Sequence, residues 1–342
     1  MAALAGLSIV VIALVAIGLA FKGGARAQAP ARLSPSAPPP AARPATSTSP
    51  GPPPARVGQL RFVNASTALP RPVQGAAATA LDGEHGVLAG GAGPSGRVSD
   101  QVVDLSPHAP RLLAPLPFAL RDAAAAAVAG TAYLFGGRDG TGAPRAAILQ
   151  VGSAGGAQEV GRLPHGAWGA AAVAIGATVY VIGGQAGSRP LTSVVAWQPG
   201  DQARIVADLP QGLSYPAVGV IAGQVIIAGG TSQHGPSRAV YGFDPSSGQV
   251  SAILPLPHAL THAAAAALHG RLYLLGGARS VGGAQTDQTL AYDPTSATLS
   301  PAGRLPEPLS DAAAVSLSDG LLLAGGVTGA GRVSGRLVSG AP

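Results

Sequence analysis

The chain has 342 residues, long enough for one large domain and a tail, and only 11% of them are charged and 4% aromatic. It contains no cysteine, which excludes disulfides, thiolate metal sites and a cysteine nucleophile. The formal net charge is +6, but Lys22, Arg26, Arg32, Arg43 and Arg56 all precede the first acidic residue, Asp82; the remainder carries 16 basic against 15 acidic residues and offers no basic stripe for nucleic acid.

Residues 2–21 form an uncharged apolar run of 20. As a helix this run would extend ~30 Å, the thickness of a bilayer core. Residues 1–27 therefore read either as a transmembrane anchor or as a signal peptide cut after Ala25-Arg26-Ala27. The run is longer than a usual signal-peptide core, which favours the anchor. Lys22 and Arg26 follow the run instead of preceding it, which is the wrong bias for exporting what comes after. Residues 28–57 hold ten prolines among Ala, Ser, Thr and Gly and are expected to be a disordered, extended linker. The expected location is the cell membrane, single-pass, with the following domain outside the cytoplasm, or secretion if the leader is cut.

From residue 58 a motif recurs. Apolar runs end in the pairs Gly90-Gly91, Gly136-Gly137, Gly183-Gly184, Gly229-Gly230, Gly276-Gly277 and Gly325-Gly326, whose second glycines are 46, 47, 46, 47 and 49 residues apart. A period this regular marks a repeat architecture. Each repeat reads as four short strands; in the fourth copy they fall at 217–221, 225–228, 239–243 and 249–253, with turn residues at 222–223 and 244–248. The first strands, at 123–128, 170–175, 263–268 and 312–317, are rich in alanine. Alanine favours helix, but a helix this short does not stand alone, and small side chains suit strands that converge on one axis. The expected fold class is all-β: a six-bladed β-propeller of four-stranded blades over 58–342.

The last repeat ends after its third strand, at 333–338, and lacks a fourth. Residues 59–63, followed by Leu69-Pro70, match the fourth-strand pattern of 203–207, followed by Leu209-Pro210. The N-terminal strand is therefore expected to complete the last blade, closing the ring and removing an exposed edge.

In such a meander the loops between second and third strands share a face with the loops leading into each first strand. The former, at 92–100, 138–145, 185–192, 231–238 and 278–288, are long and varied; the turns of the opposite face are short. Variable loops on a rigid scaffold are where binding resides. Aligned on the preceding Leu-Pro, the latter set presents Gln74-Gly75, Arg121-Asp122, Trp168-Gly169, Ser214-Tyr215, Thr261-His262 and Ser310-Asp311. The candidate ligand-binding residues at this mouth are Arg121, Asp122, Arg138, Asp139, Trp168, Gln185, Tyr215, His234, His262, Arg279 and Asp311. Trp168 and Tyr215 are favoured as aromatic contact anchors, against the alternative that they pack loops; the Arg-Asp pairs could equally be structural ion pairs.

No cofactor or metal is expected. His258 and His262 have no carboxylate at metal-ligand spacing, no Gly-x-Ser-x-Gly elbow occurs, and the glycine clusters lack the lysine and helix of a phosphate loop.

An apolar run ending in Gly-Gly, then an aromatic (Trp197, Tyr241, Tyr292) 11 to 15 residues beyond the second glycine, resembles the Kelch repeat over about 58–342. The family's fourth-strand tryptophan is missing from every copy, and three third strands lack the aromatic. The resemblance implies a six- or seven-bladed propeller that binds partner peptides through the loop-rich face. It does not extend to the copper radical oxidases that share the propeller, since those need a cysteine cross-linked to tyrosine. The expected role is a membrane-anchored or exported, monomeric, non-enzymatic module that binds a protein or surface glycan. The alternatives are a carbohydrate-active enzyme, sugar isomerase-like, built on Arg121, Asp122, His262 and Asp311, and a purely structural cell-envelope protein.

Overall fold

The computed structural model describes residues 59–342; the expected anchor or signal segment and the proline-rich linker lie outside the described residues. Among the described residues no helix is long and apolar enough to cross a membrane. The first segments of the repeats, alanine-rich or not, are strands: Ala77–Ala80, Ala124–Val128, Ala171–Ile175, Ala217–Ile221, Ala264–Leu268 and Ala313–Leu317. Each is the innermost strand of one of six four-stranded antiparallel sheets. Every inner strand touches the next and the sixth touches the first, so the sheets close into a ring. Their small side chains line an axial cavity of about 280 Å³.

Hydrophobic side chains alternate along the strands and fill the spaces between neighbouring blades. The core is accordingly divided into six clusters, one per blade interface. Between blades two and three, Tyr133 and Phe135 meet Trp197 edge-to-face with centroids 5.0 and 5.5 Å apart. Trp197, Tyr241 and Tyr292, the aromatics of the repeat, sit on third strands and are all buried.

The glycine pairs tie each blade to its successor. The second glycine donates its N–H to a carbonyl of the next blade: Gly91 to Leu120, Gly137 to Ala167, Gly184 to Leu213, Gly230 to Leu260, Gly277 to Leu309 and Gly326 to Val73, at 2.7–2.9 Å. A Cβ on the first glycine of any pair would overlap that same carbonyl. Both positions are also left-handed, with φ of +64° and +90° at Gly136 and Gly137. The regular recurrence of Gly-Gly in this sequence is thus the recurrence of blade-to-blade junctions.

The ring closes as the sequence implies. Arg61–Ala68 lies antiparallel to Arg336–Ala341 as the fourth strand of blade six, pairing Arg61 with Ala341 and Asn64 with Val338. Both strands lie further along the sequence than expected, covering Arg61–Ala68 instead of 59–63 and Arg336–Ala341 instead of 333–338. The later start of the second follows because 327–334 is spent in the loop, where Val327 bridges Val333 and Ser334 donates its N–H to Gly326, and the first strand takes its register from that partner. One further correction concerns the opposite face. Its first-to-second-strand turns are two residues long in blades two to six, but blade one uses 81–85, a longer turn whose Gly83 carbonyl accepts the N–H of Ser318 from blade six at 2.7 Å.

Candidate functional site

The six dipeptides aligned on Leu-Pro converge at one end of the axis. Their second members, Gly75, Asp122, Gly169, Tyr215, His262 and Asp311, all have φ between +52° and +63°. Their backbones form a belt of hydrogen bonds from blade to blade: Gly75 N–H donates to Asp311, Asp122 to Gly75, Gly169 to Asp122, Tyr215 to Gly169 and Asp311 to His262, at 2.6–3.0 Å. Between Tyr215 and His262 the rings stack instead, centroids 3.8 Å apart. The left-handed conformation is free for glycine but costs a bulky side chain about 1–3 kcal/mol, and it persists only where the surroundings enforce it. Four of the six positions carry that cost.

The side chains of this belt and of its neighbours join into one arc. Asp122, whose side chain is 1% exposed, accepts from Arg121 Nε at 2.9 Å and Arg138 Nε at 2.7 Å on the same oxygen. The Arg138 guanidinium lies over the Trp168 ring. Trp168 meets Tyr215 edge-to-face at 5.7 Å, Tyr215 stacks on His262, and His262 Nδ1 lies 2.6 Å from Asp311 Oδ1. Ser310 Oγ donates to the other oxygen of Asp311 at 2.8 Å. Beside the arc, the Thr231 and Thr261 hydroxyls are 2.7 Å apart.

The electrostatics follow from this geometry. Burial alone would raise the Asp311 carboxyl, but the hydrogen bond and charge of His262, with help from Ser310 and Arg121, outweigh it and hold Asp311 below the ordinary carboxylate range. Burial, then the charge of Asp122, push the Tyr215 phenol far above its usual value, with Asp311 adding to the rise and Arg138 and Arg121 offsetting part of it. Tyr215 is therefore a neutral hydroxyl. Both arginines bond Asp122 through Nε, and among the described residues their terminal nitrogens have no hydrogen-bond partner. The mouth enclosed by Asp122, Tyr215, His262 and Asp311 is small, about 120 Å³.

Seven of the eleven sequence candidates therefore meet: Arg121, Asp122, Arg138, Trp168, Tyr215, His262 and Asp311. The other four lie elsewhere. Asp139 turns back into its own loop, where the Thr141 hydroxyl, offsetting burial, leads the hydrogen bonds that lower its pKa to about 2, and Arg145 pairs with it at 2.7 Å. Gln185 bridges Trp168 through its backbone, but its side chain donates to the Gly187 carbonyl at 3.1 Å. His234 is exposed at a ribbon turn beside Gln233, and Arg279 donates to Gln288 at 2.9 Å. Sequence spacing placed His262 and Asp311 at the same mouth but passed over their contact, which the packing of consecutive blades five and six makes across 49 residues. It also passed over a cleft of about 430 Å³ on the opposite face, between blades six and one, where His85, His108 and Asp319 gather around the long turn of blade one. Among the described residues no group of three His, Cys, Asp or Glu is placed to hold a metal ion.

No protein-family model matches the chain. Among curated proteins, an 83-residue stretch is 37% identical to human Kelch-like protein 35; the match takes in 24% of this chain and 14% of that protein's length.

Proposed function

Taking the six repeats as Kelch-like, on the strength of both the ring and the short sequence match, we propose that the domain is a non-enzymatic module that binds a protein segment at the mouth. The observation that carries this reading is the arc from Arg121 to Asp311. Its rigid aromatic rings, Trp168 and Tyr215, are the side chains that anchor interfaces. The unpaired terminal nitrogens of Arg121 and Arg138 form a pair of guanidinium donors beside them, suited to a carboxylate of the partner. We further propose that residues 2–21 hold the module at a membrane, with 28–57 as its tether. The test is a screen of the full chain against a peptide library varied in acidic and aromatic content. Selection of an acidic residue, lost on Arg121→Ala and Trp168→Ala while the melting temperature stays within a few degrees, supports the reading. Equal binding by both variants overturns it.

A second reading, an enzyme acting on a sugar, draws on the 2.6 Å contact of His262 with Asp311, which would orient an imidazole for proton transfer. The mouth volume of about 120 Å³ weighs against it, because sites for small molecules occupy roughly 300–1,000 Å³.

A further inference from the structure

On the face opposite the mouth, blades three and four part to leave a cleft of about 330 Å³, large enough for a small molecule. The turn between the third and fourth strands of blade three helps to form it. That turn, 198–203, is six residues long, against five in blades one and two (106–110 and 152–156) and four in blades four and five (245–248 and 294–297). The longer turn and the strand it feeds bring Asp201, Gln202 and Arg204 to the edge of the cleft.

The lining combines two chemistries. One is aromatic: Tyr180 and Phe243 pack edge-to-face with centroids 5.3 Å apart, and Phe243 is fully buried while Tyr180 is only half-buried against the cleft. The other is a set of hydrogen-bonding groups of different kinds. Gln198 is engaged with Thr178 at 2.7 Å, and Ser246 and Ser247 donate to Asp244 at 2.7 and 2.9 Å. Asp201, Gln202 and Arg204 make no side-chain hydrogen bond or ion pair among the described residues. Together they supply a charged acceptor, an amide that both donates and accepts, and a guanidinium donor.

Asp201 and Arg204 are the only charged residues of the lining, and their charges cancel. With the Asp244 carboxylate behind Ser246 and Ser247, the site carries no excess of positive charge to favour an anion. A ligand with several hydroxyls, each both donor and acceptor, would use all three free groups. Its apolar C–H face would cover the half-buried ring of Tyr180, a surface that is apolar in body and polar at its tip.

We propose that this cleft is a binding site for a neutral saccharide, with one pyranose face against Tyr180 and its hydroxyls on Asp201, Gln202 and Arg204. The site is separate from the mouth and does not depend on what the mouth binds.

The test is calorimetric titration of the full chain with D-glucose, D-galactose, D-mannose and N-acetylglucosamine, and with glucuronate as the charged comparator. The expected result is saturable binding of at least one neutral sugar at concentrations up to ~10 mM. Arg204→Ala and Gln202→Ala, both at exposed positions, should each weaken that binding by about tenfold or more. Trp168→Ala, at the mouth, should leave it unchanged. The proposal is overturned if none of the four neutral sugars binds saturably. It is overturned equally if the doubly substituted cleft binds as well as the parent, if Trp168→Ala abolishes binding, or if glucuronate is preferred over every neutral sugar.

Discussion

The guanidinium of Arg138 lies 4.2 Å from the centroid of the Trp168 ring. The same guanidinium holds Asp122 through Nε, so the ring, the cation and the buried carboxylate are one mechanical unit. A cation over an aromatic face contributes about 0.5–2 kcal/mol. Trp168→Ala is expected to weaken binding of an acidic peptide by about tenfold or more while leaving the fold intact. The chain has two tryptophans and the other, Trp197, is 2% exposed. Acrylamide quenching therefore reports mainly on Trp168, and it should fall when a mouth ligand is added. Unchanged quenching at saturation would argue that the ligand sits elsewhere.

Gly136 and Gly140 make a matched pair for testing the blade junction. A methyl group at Gly136 would collide with the Ala167 carbonyl of the next blade and sit on a backbone at φ +64°, whereas one at Gly140 meets nothing within 4 Å. Gly136→Ala is expected to destabilise the domain by ~1–3 kcal/mol or more, and Gly140→Ala by no more than about 0.5 kcal/mol. Urea denaturation of both variants measures the difference; similar midpoints would refute the junction role of the pair.

Phe62 is the main apolar anchor of the closing strand, 9% exposed and packed against Gly340. Phe62→Ala should cost about 3–5 kcal/mol, and deletion of 58–64 should lower the melting temperature at least as much. A melting curve unmoved by either change would show that the ring does not rely on this strand.

Asp311 gives the mouth a pH dependence of predictable sign. Its folded-state pKa lies below the unfolded value of ~3.9. The unfolded chain therefore takes up this proton first as the pH falls. The stability Asp311 contributes is fully present above ~4 and is lost as the pH drops through its folded pKa. Asp311→Asn should flatten the acid limb of a plot of melting temperature against pH, relative to the parent. An equally steep limb would mean that other carboxylates carry the effect.

The architecture was legible in the sequence because the glycine pairs do a job that no other residue can. Each must lie under a carbonyl of the neighbouring blade, so the count of pairs is the count of junctions. The inner strands were legible despite their alanines because the turn glycines follow them on schedule; the strands begin within a residue of expectation, at Ala124 against 123 and Ala264 against 263. The alignment on Leu-Pro likewise found the belt, since every one of its second members is left-handed. What spacing did not decide is which way a loop side chain turns. Arg138 and Asp139 are adjacent, yet neighbours on an extended backbone point to opposite sides. Arg138 reaches Asp122 at the axis, while Asp139 caps Thr141 and Ala143 in its own loop. The same alternation accounts for Arg279, one residue beyond Ala278, which is the position that bridges Thr261. The cleft between blades three and four was missed for another reason: a turn longer by one or two residues leaves no signal in a repeat whose period already varies by three.

The pairing of Arg61 with Ala341 spans 280 positions of the chain, 341 less 61. A ribosome delivers the first of these strands long before its mate. Throughout that interval the early strand has no edge of its own sheet to join, and the fifth and first blades have an unfinished neighbour between them. Contacts so distant in sequence form slowly, and unpaired edges invite pairing with other chains meanwhile. The segment most exposed to misassembly during synthesis is therefore the one that, in the finished molecule, seals the circle.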